Sequence, residues 1–147
     1  MRLLFVITDL IVAGAQFQVL YLARYFRGLG WDVHVVSMVD DTPLRTEFEN
    51  LDITVSTLQM SNGVPDPRGA LRLAKIIRDW QPDSVNSHMV HANLIARVTR
   101  LIAKMPALIC TAHNINEGGR WREIAYRYTD FLCDITVNVS HAGAKRS

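Results

Sequence analysis

The segment CTAHNINEGG, residues 110–119, sets an imidazole, His113, directly after an apolar run and follows it with Asn114, Asn116, Glu117 and two glycines. An imidazole titrates near neutrality and offers both a donor and an acceptor. Amide and carboxylate groups beside it suit sugar hydroxyls, and the glycines allow the loop to move; a surface loop with an incidental histidine would look the same. A second segment, SVNSHMVHAN (84–93), places His88 at the end of a strand-like run and His91 three positions later, where a helix should begin. Two imidazoles at that spacing could hold a metal, serve a reaction or cap a turn. Zinc needs three or four ligands, and no Cys, Asp or Glu near 88–93 completes a set. The pair also lacks the Glu and the fourth-residue spacing of a metalloprotease helix. No metal is expected, and His88 is read as lining a crevice, His91 as helix-start structure. The third segment, TDLIVAGAQFQ (8–18), puts the small Gly14 and Ala15 at a helix entry, where unsatisfied N–H groups can face an anion. Gly14 could equally serve only to turn the chain.

Stepping outward from these residues, apolar runs alternate with amphipathic ones. Strands are predicted at Arg2–Thr8, Asp32–Val39, Asp52–Leu58, Ser84–Ser87, Ala107–Ala112 and Ile135–Ser140. Between the first two, Val19, Leu22, Ala23 and Phe26 recur at helical spacing, and Gly28 and Gly30 end the helix. A short helix is expected around Pro43–Asn50. The turn-forming MSNGVPDPR opens a helix to Trp80 that turns Leu73, Ile76, Ile77 and Trp80 to one face and Arg68, Arg72, Lys75 and Arg78 to the other. Residues 91–105 read as a helix with Ile95, Val98, Ile102 and Met105 inward and Arg97, Arg100 and Lys104 in water, and Arg120–Cys133 as the last helix. This order implies right-handed crossovers, hence an α/β fold: a Rossmann-like, mainly parallel sheet with helices on both faces. In such sheets the ligand crevice lies outside the carboxyl ends of the strands, near the point where strand order reverses. The three segments then share one rim.

Composition narrows the function classes. The chain has 147 residues, is 49% hydrophobic and 20% charged, and carries a formal net charge of +2. It has no Lys/Arg block or zinc-finger spacing, which argues against nucleic acid. Thr8 and Asp9 interrupt the apolar amino terminus, unlike a secretory core. No stretch approaches the roughly 20 apolar residues that span a bilayer. Cys110 and Cys133 lie in no ligand-like spacing, and as inert thiols they place the protein in the cytoplasm. Neither G-x-G-x-x-G nor G-x-x-x-x-G-K-[ST] occurs, which disfavours a bound nicotinamide cofactor or a P-loop triphosphate.

MRLLFVITDLIVAGAQFQ, PDPRGALRLAKIIRDWQPDSVNSHMVHAN and ALICTAHNINEGGRW, in that order, resemble the amino-terminal domain of family-4 glycosyltransferases of the GT-B fold, over essentially the whole chain. The resemblance implies one half of a two-domain enzyme that transfers a hexose-type sugar from a nucleotide sugar, with retention of configuration, to a glycan or lipid-linked acceptor. No cofactor is implied, since the nucleotide sugar is a substrate. The family's first loop usually reads Gly-Gly-x-Glu; here Ala13-Gly14-Ala15-Gln16 stands in its place, so Gly14 and Ala15 would approach the donor diphosphate. His113 matches the histidine thought to lie against the donor sugar and is the catalytic candidate. His88, Asn114 and Glu117 would line the acceptor side. The family's donor-binding second domain, with its basic pair and E-x7-E segment, is not matched, so 1–147 is read as an acceptor-side domain incomplete at its carboxyl end. Taken alone the chain is expected to be inactive: a truncated reading frame, a fragment, or a subunit whose partner chain carries the donor domain. Contact with the inner membrane surface would follow from a lipid-linked acceptor and the basic face of Arg97, Arg100 and Lys104. Two other readings stay open: a non-catalytic binding or assembly subunit that keeps the fold, and a GT-B epimerase, for which Glu117 is the only obvious acid.

Overall fold

The computed structural model describes residues 1–10, 13–40, 42–61, 66–112, 124 and 127–138. Six strands form one sheet: β1 (Arg2–Ile7), β2 (Asp32–Val39), β3 (Thr54–Met60), β4 (Ser84–His88), β5 (Leu108–Ala112) and β6 (Ile135–Asn138). Their spatial order is β3-β2-β1-β4-β5-β6, and every pairing is parallel. Order therefore reverses between β1 and β4, as expected for a Rossmann-like sheet. The helices are α1 (Gly14–Gly28), α2 (Arg45–Glu49), α3 (Pro67–Trp80) and α4 (Val90–Thr99), and a 3-10 turn at Asp130–Leu132 precedes β6.

Local chemistry explains the boundaries. At the start of α3, Asp66 accepts the Arg68 backbone N–H at 2.9 Å, and Pro67 occupies the first helical position, where its missing N–H costs nothing. Gln81, with φ 53°, ends that helix. After α1, Gly30 turns at φ 89°, a conformation that suits a residue without Cβ.

The centre of the sheet is covered on both faces. Leu3, Phe5 and Ile7 of β1 pack with Val19 and Ala23 of α1 and Phe48 of α2, while Leu4 and Val6 pack with Leu73, Ala74 and Ile77 of α3 and Ala92 and Ala96 of α4. All six β1 positions but Arg2 are buried, which is why the strand reads as a continuous apolar run rather than an alternating one.

Helix α4 departs from expectation. It ends at Thr99 rather than at 105, and its buried residues are Val90, Ala92, Asn93, Ala96, Arg97 and Thr99. Val98 and Ile102 are instead 45% and 42% exposed, although Met105 is buried. Ile95 is half-buried against the core as expected, but much of the sheet-facing side is made of small residues because α4 lies close against the sheet, and Val98 and Ile102 fall on the other side. The expected basic face is corrected for the same reason. Arg97 is fully buried, its guanidinium donating to the hydroxyls of Thr129 (3.2 Å) and Thr136 (3.4 Å) and lying 3.5 Å from Asp130. Arg100 lies 2.9 Å from Asp134 and donates to the carbonyls of Leu132 and Met105. Of the three, Lys104 alone is exposed, so this face offers no basic patch to a membrane. Among the described residues no helix is long and apolar enough to cross one.

Candidate functional site

Three strand ends lie side by side at the order reversal. Ile7 of β1 is the register partner of His88 of β4, and His88 is that of Thr111 of β5. His88 is thus the last strand residue and sits at the switch point. It is 1% exposed, with its ring tilted 44° against that of Phe5 at a centroid distance of 5.9 Å. His91 follows in the first turn of α4, half-buried. Among the described residues no group of three or more His, Cys, Asp or Glu could hold a metal ion.

Between the two histidines, Met89 adopts φ 78°, ψ 154°, a region that costs a residue with a Cβ on the order of 1–3 kcal/mol. The conformation is held from several sides. The Met89 N–H donates to the Thr111 carbonyl at 3.0 Å, and its own carbonyl accepts from the Asn93 N–H at 2.9 Å. Asn93, itself fully buried, accepts from the Ser87 hydroxyl at 2.6 Å and donates to the Thr111 carbonyl at 3.0 Å. Each buried polar group in this cluster therefore has a partner, and together they fix the end of β5, from which residues 113 onward lead.

Across the switch point, α1 begins at Gly14 with Ala13 as its uncapped N-cap residue and no acidic side chain in the first turn. Its first helical bond runs from the Phe17 N–H to the Ala13 carbonyl at 3.0 Å. The amides of Gly14, Ala15 and Gln16 precede the ladder, at the positive end of the helix dipole. Gly14 is exposed and has no positive φ, and a Cβ built on it meets no atom of the described residues within 4 Å. Among the described residues, neither the backbone conformation nor the packing requires glycine there. Ala15 is half-buried beside it.

The side chain of Gln16, 1% exposed, ties the two loops together: Nε2 donates to Asp9 Oδ1 at 2.6 Å and lies 3.7 Å from Met89 Sδ. Gln16 stands where the resembled loop carries Glu, but nothing in that motif points to Asp9 or Met89 as its partners; the further signal was a polar residue on the sheet-facing side of an amphipathic helix. Asn93 gave the same kind of signal in α4. His113, Asn114 and Glu117 lie outside the described residues; the strand that leads to them, β5, ends at Ala112 beside His88.

Away from the crevice, burial pushes the Cys110 thiol up to about 11, with the Cys133 thiol beside it adding to the shift, so Cys110 carries little thiolate at neutral pH. At the opposite, amino-terminal rim of the sheet, His34 is buried with Nε2 2.8 Å from Ser56 Oγ and its ring edge-on to Trp80. Burial lowers its pKa to about 4.

The family model described as Glycosyltransferase Family 4 matches residues 12–146. No curated protein matches the sequence. Among solved structures, HepE from Anabaena in complex with UDP and glucose is similar with a TM-score of 0.71 at 18% identity, over 92% of this chain and 37% of HepE. MurG from Acinetobacter baumannii is similar with a TM-score of 0.68 at 10% identity, over 95% of this chain and 45% of MurG. The UDP-GlcNAc 2-epimerase of Methanocaldococcus jannaschii is also similar, with a TM-score of 0.57 at 12% identity, over 92% of this chain and 38% of the epimerase. At these identities the likeness establishes the shared fold, and the chain spans less than half the length of each.

Proposed function

Because the chain belongs to glycosyltransferase family 4, we propose that its switch-point crevice is one wall of a nucleotide-sugar transfer site, half of a GT-B enzyme. The observation that supports the reading is the start of α1: a helix N-terminus without a side-chain cap beside the β1/β4 reversal, opened by a glycine that none of the described residues demands. Such an end attracts phosphate through free amides and the helix dipole, and an added Cβ would stand between backbone and ligand. Gly14 and Ala15 face the donor diphosphate in this reading. His113 meets the donor sugar and supports the positive charge that develops there through its ring or carbonyl. The acceptor hydroxyl enters along the side of His88, Asn114 and Glu117. His113 is not the base, since in retaining transfer the leaving phosphate can take the acceptor's proton.

The sugar is a hexose and the acceptor a glycan or lipid-linked glycan, as in polysaccharide or glycoconjugate synthesis in the cytoplasm. A lipid-linked acceptor would bring the protein to the inner membrane surface. A transfer site between two walls needs both, because charge on a departing nucleotide diphosphate is stabilised by placed donors. The 147-residue chain alone therefore has negligible turnover and needs a donor-binding wall, on the same or a partner chain.

Titration of the chain with UDP, followed at the backbone amide resonances, tests the reading. Shifts concentrated at Gly14, Ala15 and the β4–α4 turn are expected; a response spread over other surfaces, or none at millimolar UDP, overturns it. Robust turnover of a nucleotide hexose by the purified chain would refute its dependence on a second wall. In a two-walled enzyme His113→Ala should lower turnover far more than stability, and unchanged turnover removes His113 from its role.

A further inference from the structure

We propose that Gln16 is a positioning residue, a neutral clamp that holds the α1 N-terminus in register with the β4–α4 turn so that the amides of Gly14 and Ala15 present a fixed surface. Its value to a ligand rests on the reading of the crevice given above; the clamp itself does not.

Asp9 Oδ1 stands 2.6 Å from one terminal atom of Gln16, and that atom must be the nitrogen, because a carboxylate oxygen and an amide oxygen at that distance would repel. The same nitrogen faces Met89 Sδ at 3.7 Å. One side chain thus spans the second residue after β1, the first turn of α1 and the residue after β4, the three pieces that flank the order reversal. Met89 is the reciprocal half of the device. Its left-handed backbone aims the strand end into α4, and its side chain packs against the core cluster that includes Val19, one turn along α1 from Gln16.

The clamp works only as an amide. A carboxylate at position 16 would oppose Asp9 at hydrogen-bond distance, and two such groups must share a proton or move apart. An aliphatic side chain would fill the space but leave Asp9 without this donor. The positions of Gly14 and Ala15, which follow the first turn of α1, would then be set by the loop alone.

Four variants of the 147-residue chain test this, with thermal midpoint and amide resonances as readouts and UDP as the probe. Gln16→Glu should lower the midpoint at pH 7.5 by roughly 5 °C or more. Exchanging the roles in Asp9→Asn with Gln16→Glu, so that the amide at 9 donates to the carboxylate at 16, should recover most of that loss. Gln16→Met and Met89→Leu, which keep the packing volume, should stay folded by circular dichroism yet lose at least half of the UDP-induced shift at Ala15. The double exchange should retain that shift. A Gln16→Glu chain as stable as wild type, or an exchange that gives no recovery, overturns the clamp. Folded Gln16→Met and Met89→Leu chains with the full Ala15 response overturn its positioning role. A wild-type chain that ignores UDP removes the crevice reading, and the positioning role with it, while the midpoints still decide the clamp.

Discussion

The buried imidazole of His34 makes the fold itself sensitive to acid. Its pKa falls from the ordinary 6.5 to about 4 because burial disfavours the charged ring. Above pH 6.5 both the folded and the unfolded chain hold it neutral, and its contribution to stability is fully present. As pH falls from 6.5 towards 4, the unfolded chain binds a proton that the folded chain refuses, so stability declines; below about 4 the contribution is gone. A shift of this size corresponds to roughly 3 kcal/mol, a large share of the 5–15 kcal/mol typical of a domain. For a chain of this length it moves the thermal midpoint by roughly 6–12 °C. Urea denaturation of the wild type and of His34→Gln at several pH values between 4 and 7 measures it directly. Glutamine can keep a hydrogen bond to Ser56 but does not titrate. Wild-type stability should fall about 3 kcal/mol further than that of the variant across this range, whatever the other histidines contribute to both. Parallel curves would refute the assignment of the acid sensitivity to this ring.

Three more perturbations address the site and its supports. Gly14→Val should change folding stability by no more than about 0.5 kcal/mol, because a Cβ there meets none of the described residues; it should abolish the UDP response at the Ala15 amide, and a retained response would show that ligand does not approach there. Arg97→Ala should cost about 3 kcal/mol in urea unfolding, through lost packing and hydrogen bonds under β6, whereas Arg97→Met, which keeps the aliphatic stem, should cost much less. Asn93→Leu should cost about 2 kcal/mol by stranding the Ser87 hydroxyl and a Thr111 carbonyl contact, and should accelerate hydrogen exchange at the Met89 amide.

How much of this was legible in the sequence depended on whether pattern and burial agreed. β1, β2 and α3 were readable because long apolar runs, a Pro-led helix start and a wide apolar stripe all point one way. The order reversal followed from alternation and the handedness of crossovers. The family resemblance carried by the three quoted segments agrees with the match over residues 12–146. The phase of α4 was only partly readable: Ile95 does pack against the core, but the sheet-facing side is made largely of Ala92, Asn93, Ala96 and Arg97, and hydrophobicity ranks Val98 and Ile102 above them. Arg97 could be placed inside only by knowing that Thr129, Asp130 and Thr136 converge on it from more than thirty residues away. The same holds for the crevice. Gly14, Ala15 and His88 were singled out by type and position. The Asp9–Gln16–Met89 bridge depends on a contact 73 residues apart in the chain, which no local pattern reports.

Strand order has a kinetic consequence. The backbone N–H of Arg2 is held by the carboxylate of Asp83, 81 residues along the chain, immediately before the first β1–β4 pair, Leu3 with Ser84. During synthesis β1 can zip to β2 early, but its other side stays an open apolar edge until residues 84–88 have left the ribosome. Closing so long a loop is slow, and a nascent chain halted before that point would offer an unpaired strand to its neighbours. The crevice comes into being at the same moment that edge is sealed, so whatever slows the β1–β4 docking delays function and invites aggregation together.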